Sequence, residues 1–141
     1  MNKLKLRFEQ RQKSRLRATL ESGEEVALLL PRGNVMRGGD VVKTTDGRSV
    51  EILGAPEPLL HIESASLARI AYHLGNRHVP VQVGETFLRI AEDHVLEQML
   101  VKLGARVSHV EAPFEPEGGA YHPHEEMRHG GRIHDHFHDH K

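Results

Sequence analysis

The chain has 141 residues, which is enough for one ordinary domain or two small ones with a buried core. Its 19 basic and 20 acidic residues leave a net charge of −1, so it lacks the basic surplus that holds nucleic acid through phosphate contacts. The absence of cysteine excludes disulfides, thiolate metal sites and cysteine nucleophiles, so that any metal must bind through nitrogen and oxygen.

The first residues, MNKLKLRFEQRQKSR, alternate charged and apolar side chains. They have no continuous hydrophobic region of the kind a signal peptide needs. No apolar run approaches the ~20 residues that span a bilayer. We therefore expect a cytoplasmic protein without a membrane segment.

Residues 1–53 show apolar residues at every second position, as at Leu4, Leu6 and Phe8. This period predicts short, half-buried β-strands. Asp46-Gly47 is a dipeptide favoured in type I′ hairpin turns. The pattern predicts a small all-β domain, sandwich-like or barrel-like, over residues 1–55.

Two prolines, Pro56 and Pro58, then interrupt the pattern and mark the expected domain boundary, because proline cannot donate to a sheet ladder. Beyond them the pattern predicts strand 59–63, a helix capped by Ser64 and ended by a left-handed Gly75, strands 78–83 and 86–90, a helix capped by Asp93 and ended by Gly104, and strand 106–111. The order β-α-β-β-α-β is typical of a ferredoxin-like domain, here over residues 56–121. The fold class is therefore α+β.

Residues 122–141 are polar, with little to bury, and we expect them to form a disordered tail. Histidines stand at every second position of its end, so that neighbouring side chains on one side of an extended chain can converge on one ion. Imidazole binds Ni²⁺, Cu²⁺, Zn²⁺ and Co²⁺, and the pattern does not select among them. The candidate tail ligands are His122, His124, His129, His134, His136, His138 and His140.

Two further histidines have a context of their own. His78 follows a predicted helix end, although a lone histidine is more often structural. His94 lies in the first turn of a predicted helix, where the helix dipole keeps imidazole neutral and able to bind metal. His61, His73 and His109 lie inside predicted elements and are interpreted as structural. No spacing indicates nucleophilic or acid–base catalysis, so we do not expect an enzyme.

The segments HLGNRHVPVQ, DHVLEQML and PFEPEGGAY, followed by the histidine-rich tail, closely resemble the UreE family of urease accessory proteins, which are nickel metallochaperones. The resemblance implies a peptide-binding-like first domain and a ferredoxin-like second domain. It implies that His78 is the principal nickel ligand at the face of a homodimer, and that His94 is a secondary metal ligand. Glu92 stands where some members have histidine, which weakens the second site or gives it an oxygen ligand.

The resemblance also implies two partners, the urease accessory GTPase and the urease apoprotein. The resulting hypothesis is that the tail collects Ni²⁺, paired His78 side chains hold it, and the GTPase receives it. His138 or His140 is expected to complete the coordination at the dimer site. Three alternatives stay open: a general divalent-metal buffer acting through the tail, a small metal-dependent hydrolase, and a protein adaptor acting through the first domain.

Overall fold

The computed structural model of the chain describes residues 1–118. This part divides into two compact units, Met1–Leu53 and Gly54–Glu117. The predicted tail, residues 122–141, lies outside the described residues. None of the helices in residues 1–118 is long and apolar enough to cross a membrane.

The first unit is built from five strands: β1 (Asn2–Leu6), β2 (Arg15–Thr19), β3 (Glu25–Leu29), β4 (Val41–Lys43) and β5 (Ser49–Gly54). The order β1-β5-β4 forms one sheet, and β2 and β3 form an antiparallel hairpin. Alternate apolar side chains of these strands meet in one core, which confirms the predicted β-rich unit. The buried core residues are Leu4, Leu6, Leu20, Val26, Leu28, Met36, Val50 and Ile52.

A short helix, α1 (Phe8–Arg11), departs from the strand pattern that was predicted to continue through Phe8. The Arg7 N–H donates to the Gln10 side chain at 2.9 Å, which closes the first turn. The guanidinium of Arg11 is buried and donates to the carbonyls of Leu6 (3.2 Å) and Met36 (3.4 Å). These backbone partners explain how a charged residue at the end of α1 can be buried in the interior of the unit.

The turn between β4 and β5 contains Asp46-Gly47, as predicted, but it is not of type I′. Only Gly47 has a positive φ, at 92°, whereas type I′ requires it at both central residues. The Gly47 N–H donates to the Thr44 carbonyl at 3.0 Å, and the Thr44 N–H donates to the Arg48 carbonyl at 2.8 Å. This is a three-residue loop that ends in a left-handed glycine, and it bulges the hairpin.

The second unit has the order β6 (Pro56–Glu63), α2 (Leu67–Asn76), β7 (Gln82–Val83), β8 (Leu88–Ala91), α3 (His94–Lys102) and β9 (Arg106–Pro113). Its antiparallel sheet runs β7-β8-β6-β9, which is the strand order of the ferredoxin-like fold. One core joins both helices to one face of the sheet, so the predicted fold is confirmed. Its buried members are Leu60, Ile62, Ile70, Leu74, Leu88, Ile90, Leu96, Leu100 and Ala105.

The two prolines belong to β6, so the prediction that they lie outside the sheet is wrong. They pair with β9, opposite Pro113 and Glu111. β8 accompanies β6 only from Leu59 onward. The proline nitrogens therefore lie on a side of the strand where no ladder donor is needed.

The helix ends are confirmed for α3 and wrong for α2. Asp93 caps α3 by accepting from the Leu96 N–H at 2.9 Å, and Gly104 has a φ of 87° after its end. Ser64 instead accepts from the Ser66 N–H in the turn before α2. Gly75 lies within α2 and has no positive φ, because the helix continues to Asn76.

Candidate metal site

His78 follows the end of α2 in an unusual backbone conformation. The helix ends at Asn76, Arg77 is its C-cap with a φ of −93°, and His78 comes next with a φ of 58°. Its N–H donates to the Gly75 carbonyl at 3.0 Å. Among residues 1–118, no other non-glycine residue has a positive φ. The predicted strand 78–83 is correspondingly shorter, since only Gln82 and Val83 pair with β8.

Glycine is the usual residue at this left-handed position, because a side chain there costs roughly 1–2 kcal/mol. The His78 side chain is exposed, and burial in a core does not offset this cost. Histidine is among the few residues that tolerate the conformation at all. An exposed imidazole kept on a strained backbone points to a function for the side chain.

His94 is the first residue of α3 and is also exposed. Its Nε2 lies 3.3 Å from the amide nitrogen of Gln98, one helical turn further on. The donor and the acceptor in this contact are set by the imidazole tautomer.

A groove of about 340 Å³ brings the surroundings of these two histidines together. It is lined by Arg77, Val95, Gln98, Met99, Lys102 and Leu103. Arg77 precedes His78, Val95 follows His94, and Gln98 contacts His94. Val95 is 65 % exposed, so the groove has an exposed apolar side chain directly after His94 in the sequence.

A third histidine, His109 of β9, forms a cluster that the sequence pattern did not predict. Its Nδ1 lies 2.7 Å from a Glu92 oxygen, and its Nε2 lies 3.0 Å from a Glu97 oxygen. The hydrogen bonds to Glu97 and then Glu92 raise the pKa of His109. Glu97 and Glu92 lie 12 and 17 positions before His109 in the sequence. Only the packing of α3 beside β9 brings them to the histidine.

This cluster changes the expectation for Glu92. The carboxylate that was expected to offer an oxygen ligand beside His94 is engaged by His109. Within residues 1–118, no group of three or more His, Asp or Glu side chains is arranged to hold a metal ion. The described part of one chain therefore presents His78 and His94 as single candidate ligands.

His61 has hydrogen-bond partners on both ring nitrogens. Its Nδ1 accepts from the Arg89 guanidinium at 3.0 Å, and its Nε2 lies 3.3 Å from a Glu63 oxygen. The ring also stacks on Phe87, with centroids 4.7 Å apart. These contacts occupy the lone pair that a metal would need.

Two hydrogen bonds fix the segment that follows β9. The Glu115 N–H donates to the Gln82 side chain at 3.0 Å, and the Glu117 N–H donates to the Val81 carbonyl at 2.8 Å. These two bonds hold the segment after β9 against the stretch that follows His78. The tail histidines themselves lie outside the described residues: His122, His124, His129, His134, His136, His138 and His140.

Two family models together match nearly the whole chain. The N-terminal domain of the UreE urease accessory protein matches residues 1–55, and its C-terminal domain matches residues 57–141. The chain belongs to the UreE family. UreE proteins are accessory proteins of urease and not enzymes themselves.

Curated UreE proteins resemble the chain closely. The urease accessory protein UreE of Ralstonia nicotianae is 60 % identical over 122 residues, which cover 84 % of this chain. That of Paraburkholderia xenovorans is 51 % identical over 139 residues, or 96 % of this chain. In each case the matched region is 58 % of the relative's own length.

Proposed function

We propose that this UreE chain is a nickel metallochaperone that acts in the cytoplasm during urease maturation. The observation that carries the proposal is His78, an exposed imidazole on a left-handed backbone where stability favours glycine. The description of the family as urease accessory proteins supports urease as the destination of the metal. Ni²⁺ is the cargo of the protein, and Zn²⁺, Cu²⁺ or Co²⁺ bind the same imidazoles in vitro.

Nickel is held between two copies of the chain. A two-fold axis lets one histidine per chain act as a pair, which answers the shortage of ligands in a single copy. Support comes from the groove lined by Arg77 and Val95, which are sequence neighbours of His78 and His94, and Val95 is largely exposed. When two copies meet through this groove, the apolar side chains of Val95, Met99 and Leu103 are removed from water. The two His78 residues are thereby brought close to each other.

The tail collects the metal and passes it to the dimer site. Its histidines follow a segment anchored beside the residues after His78, by the bonds of Glu115 and Glu117. Closing several side chains on one ion costs conformational entropy, so the proposed tail sites hold metal loosely and release it readily. The urease accessory GTPase then receives the ion and passes it to the urease apoprotein.

A calorimetric Ni²⁺ titration with native mass spectrometry tests the proposal. It compares the full chain, a chain ending at Tyr121, and that shorter chain carrying His78→Ala. We expect truncation to remove the weak sites and to leave about one tight ion per dimer. His78→Ala is expected to abolish the tight ion, whereas His109→Gln, the loss of an imidazole held by carboxylates, leaves it in place.

Two results would contradict the metallochaperone proposal. If tight binding disappears with the tail and His78→Ala changes nothing, the chain is a divalent-metal buffer that acts through its tail histidines. Binding of one ion by a monomer with unchanged affinity would equally contradict the shared site.

A further inference from the structure

The turn between β4 and β5 contains a dipeptide of special reactivity. Asp46-Gly47 is the one Asp-Gly or Asn-Gly pair in the sequence. In such a pair the backbone nitrogen of the second residue can attack the side-chain carboxyl carbon of the first. Glycine permits this attack most readily, because it has no side chain to hinder the approach and its backbone is the most flexible. The Asp46 side chain is 59 % exposed, so burial does not protect it.

Two residues at the ends of the turn hold this carboxylate by both of its oxygens. Arg48 donates to Oδ2 through Nη2 at 3.0 Å and to Oδ1 through Nε at 3.3 Å. The Thr44 hydroxyl also donates to Oδ1, and Thr44 itself is buried. These contacts form the Thr44–Arg48 clamp, which ties the carboxyl group of Asp46 to fixed points on either side of it.

The clamp and the turn oppose each requirement of the attack. The carboxyl group must be protonated to lose an oxygen as water, yet the hydrogen bonds from Arg48 and then Thr44 lower the pKa of Asp46 to about 2. The attacking nitrogen must be free to lose its proton, yet the Gly47 N–H donates to the Thr44 carbonyl at 3.0 Å. The carboxyl carbon must also turn toward that nitrogen, which breaks the contacts of both oxygens.

We propose that Asp46-Gly47 is a site of spontaneous isoaspartate formation, which the Thr44–Arg48 clamp holds back in the folded chain. The Gly47 nitrogen forms a bond to Cγ of Asp46, while the carboxyl OH and the proton of that nitrogen leave as one water molecule. One water molecule then opens the resulting succinimide ring at either of its two carbonyl carbons. Opening at the side-chain carbon restores aspartate. Opening at the backbone carbon gives isoaspartate, in which the main chain runs through the former side chain.

The modification affects more than the turn, because Arg48 also joins two hairpins of the first unit. Its Nη1 lies 2.7 Å from an oxygen of Glu24, in the turn between β2 and β3. Isoaspartate adds one methylene group to the main chain and moves the free carboxylate, so the two-point contact with Arg48 is lost. Asp46-Gly47 is therefore a point at which chemical ageing loosens the first unit. The inference does not depend on nickel binding.

Labelling with heavy oxygen tests the inference, because each passage through the succinimide adds one oxygen atom from the solvent. The full chain is incubated at pH 6 in water enriched in the heavy oxygen isotope and then digested in ordinary water. Mass spectrometry measures the label at Asp46, and a synthetic peptide of residues 43–49 is the unprotected reference. We expect the full chain to incorporate label at least about tenfold more slowly, because a fall of one unit in the pKa already lowers the protonated fraction tenfold.

Two variants test the clamp itself. Arg48→Gln removes the charged donor and is expected to raise the labelling rate of Asp46 about tenfold, and Thr44→Val removes the hydroxyl donor and is expected to raise it about threefold. The matched control is Lys43→Gln, which removes a cation of β4 and leaves the contacts of Asp46 in place, so its rate is expected to be unchanged. Circular dichroism checks that each variant is folded. The two variants remove different donors, so a folding defect in one leaves the other as the test.

Three results would overturn the inference. One is labelling of the full chain as fast as the peptide, which means that the fold gives no protection. Another is an unchanged labelling rate in a folded Arg48→Gln or Thr44→Val chain, which means that the clamp is not what holds the reaction back. The third is an equal increase in Lys43→Gln, which means that the protection comes from the hairpin as a whole.

Discussion

At the scale of single residues, position 78 is subject to two requirements that favour different residue types. The left-handed φ of 58° suits glycine, whereas metal binding needs the imidazole. A variant series can divide the two, because alanine and glycine both remove the ring but only glycine relieves the backbone. The stability of the metal-free chain therefore reports on the backbone alone.

We predict that the free energy of unfolding of the metal-free His78→Gly variant is about 1 kcal/mol higher than that of His78→Ala, because only glycine adopts the left-handed conformation without strain. Urea denaturation followed by circular dichroism measures this difference. Both variants are expected to lose the tight nickel site to the same extent. Equal stabilities of the two variants would contradict the left-handed conformation of residue 78 in solution.

At the scale of elements, the sequence pattern was sufficient wherever a local chemical rule fixes the structure. The Asp93 cap, the Gly104 stop and the ferredoxin-like strand order all follow from residue types at fixed spacing. The end of α2 does not follow from the residue types. Gly75 resembles a helix stop but lies inside the helix, and His78, three residues later, has the left-handed conformation.

The sequence also gave no indication of contacts that depend on packing. His109 meets Glu92 and Glu97 only because α3 lies beside β9. The groove beside His94 similarly depends on how α2 and α3 pack on the sheet. His78 and His94 were predictable as candidates, whereas the surroundings that decide their chemistry were not.

The His109 cluster ties the start of α3 to β9 and makes this contact dependent on pH. Its two hydrogen-bonded carboxylates raise the pKa of His109 in the folded chain above the ordinary value near 6.5. A group with a raised folded pKa stabilises the fold below its unfolded pKa, and this contribution is lost as pH rises through the folded pKa.

We therefore predict that His109→Gln lowers the melting temperature of the metal-free chain most clearly at pH 6. The difference from the unmodified chain is expected to shrink as pH rises above 6.5, since the imidazolium loses its proton. Thermal unfolding by circular dichroism at several pH values measures it. A difference that is constant from pH 6 to pH 9 would show that the imidazolium–carboxylate pairs do not stabilise the chain.

At the scale of the whole molecule, the proposed function requires a second copy of the chain. No group of three His, Asp or Glu side chains in the described residues is arranged to hold a metal ion, and the exposed His78 directly follows Arg77, which lines the groove. The dimer and the tight nickel site are therefore linked: a change that prevents association removes the site, even where every histidine is retained.

Val95→Glu tests this linkage, because it places a charge at the rim of the groove without altering a ligand. We predict that the variant is a monomer in size-exclusion chromatography with light scattering, and that it loses the tight Ni²⁺ site but keeps the weak tail sites. A charge buried against an apolar partner surface is costly enough to prevent association. The matched control is Val41→Glu, which alters a similarly exposed valine of the first unit and is expected to leave both properties unchanged. A Val95→Glu monomer that still holds nickel tightly would mean that one chain completes the site with its own tail.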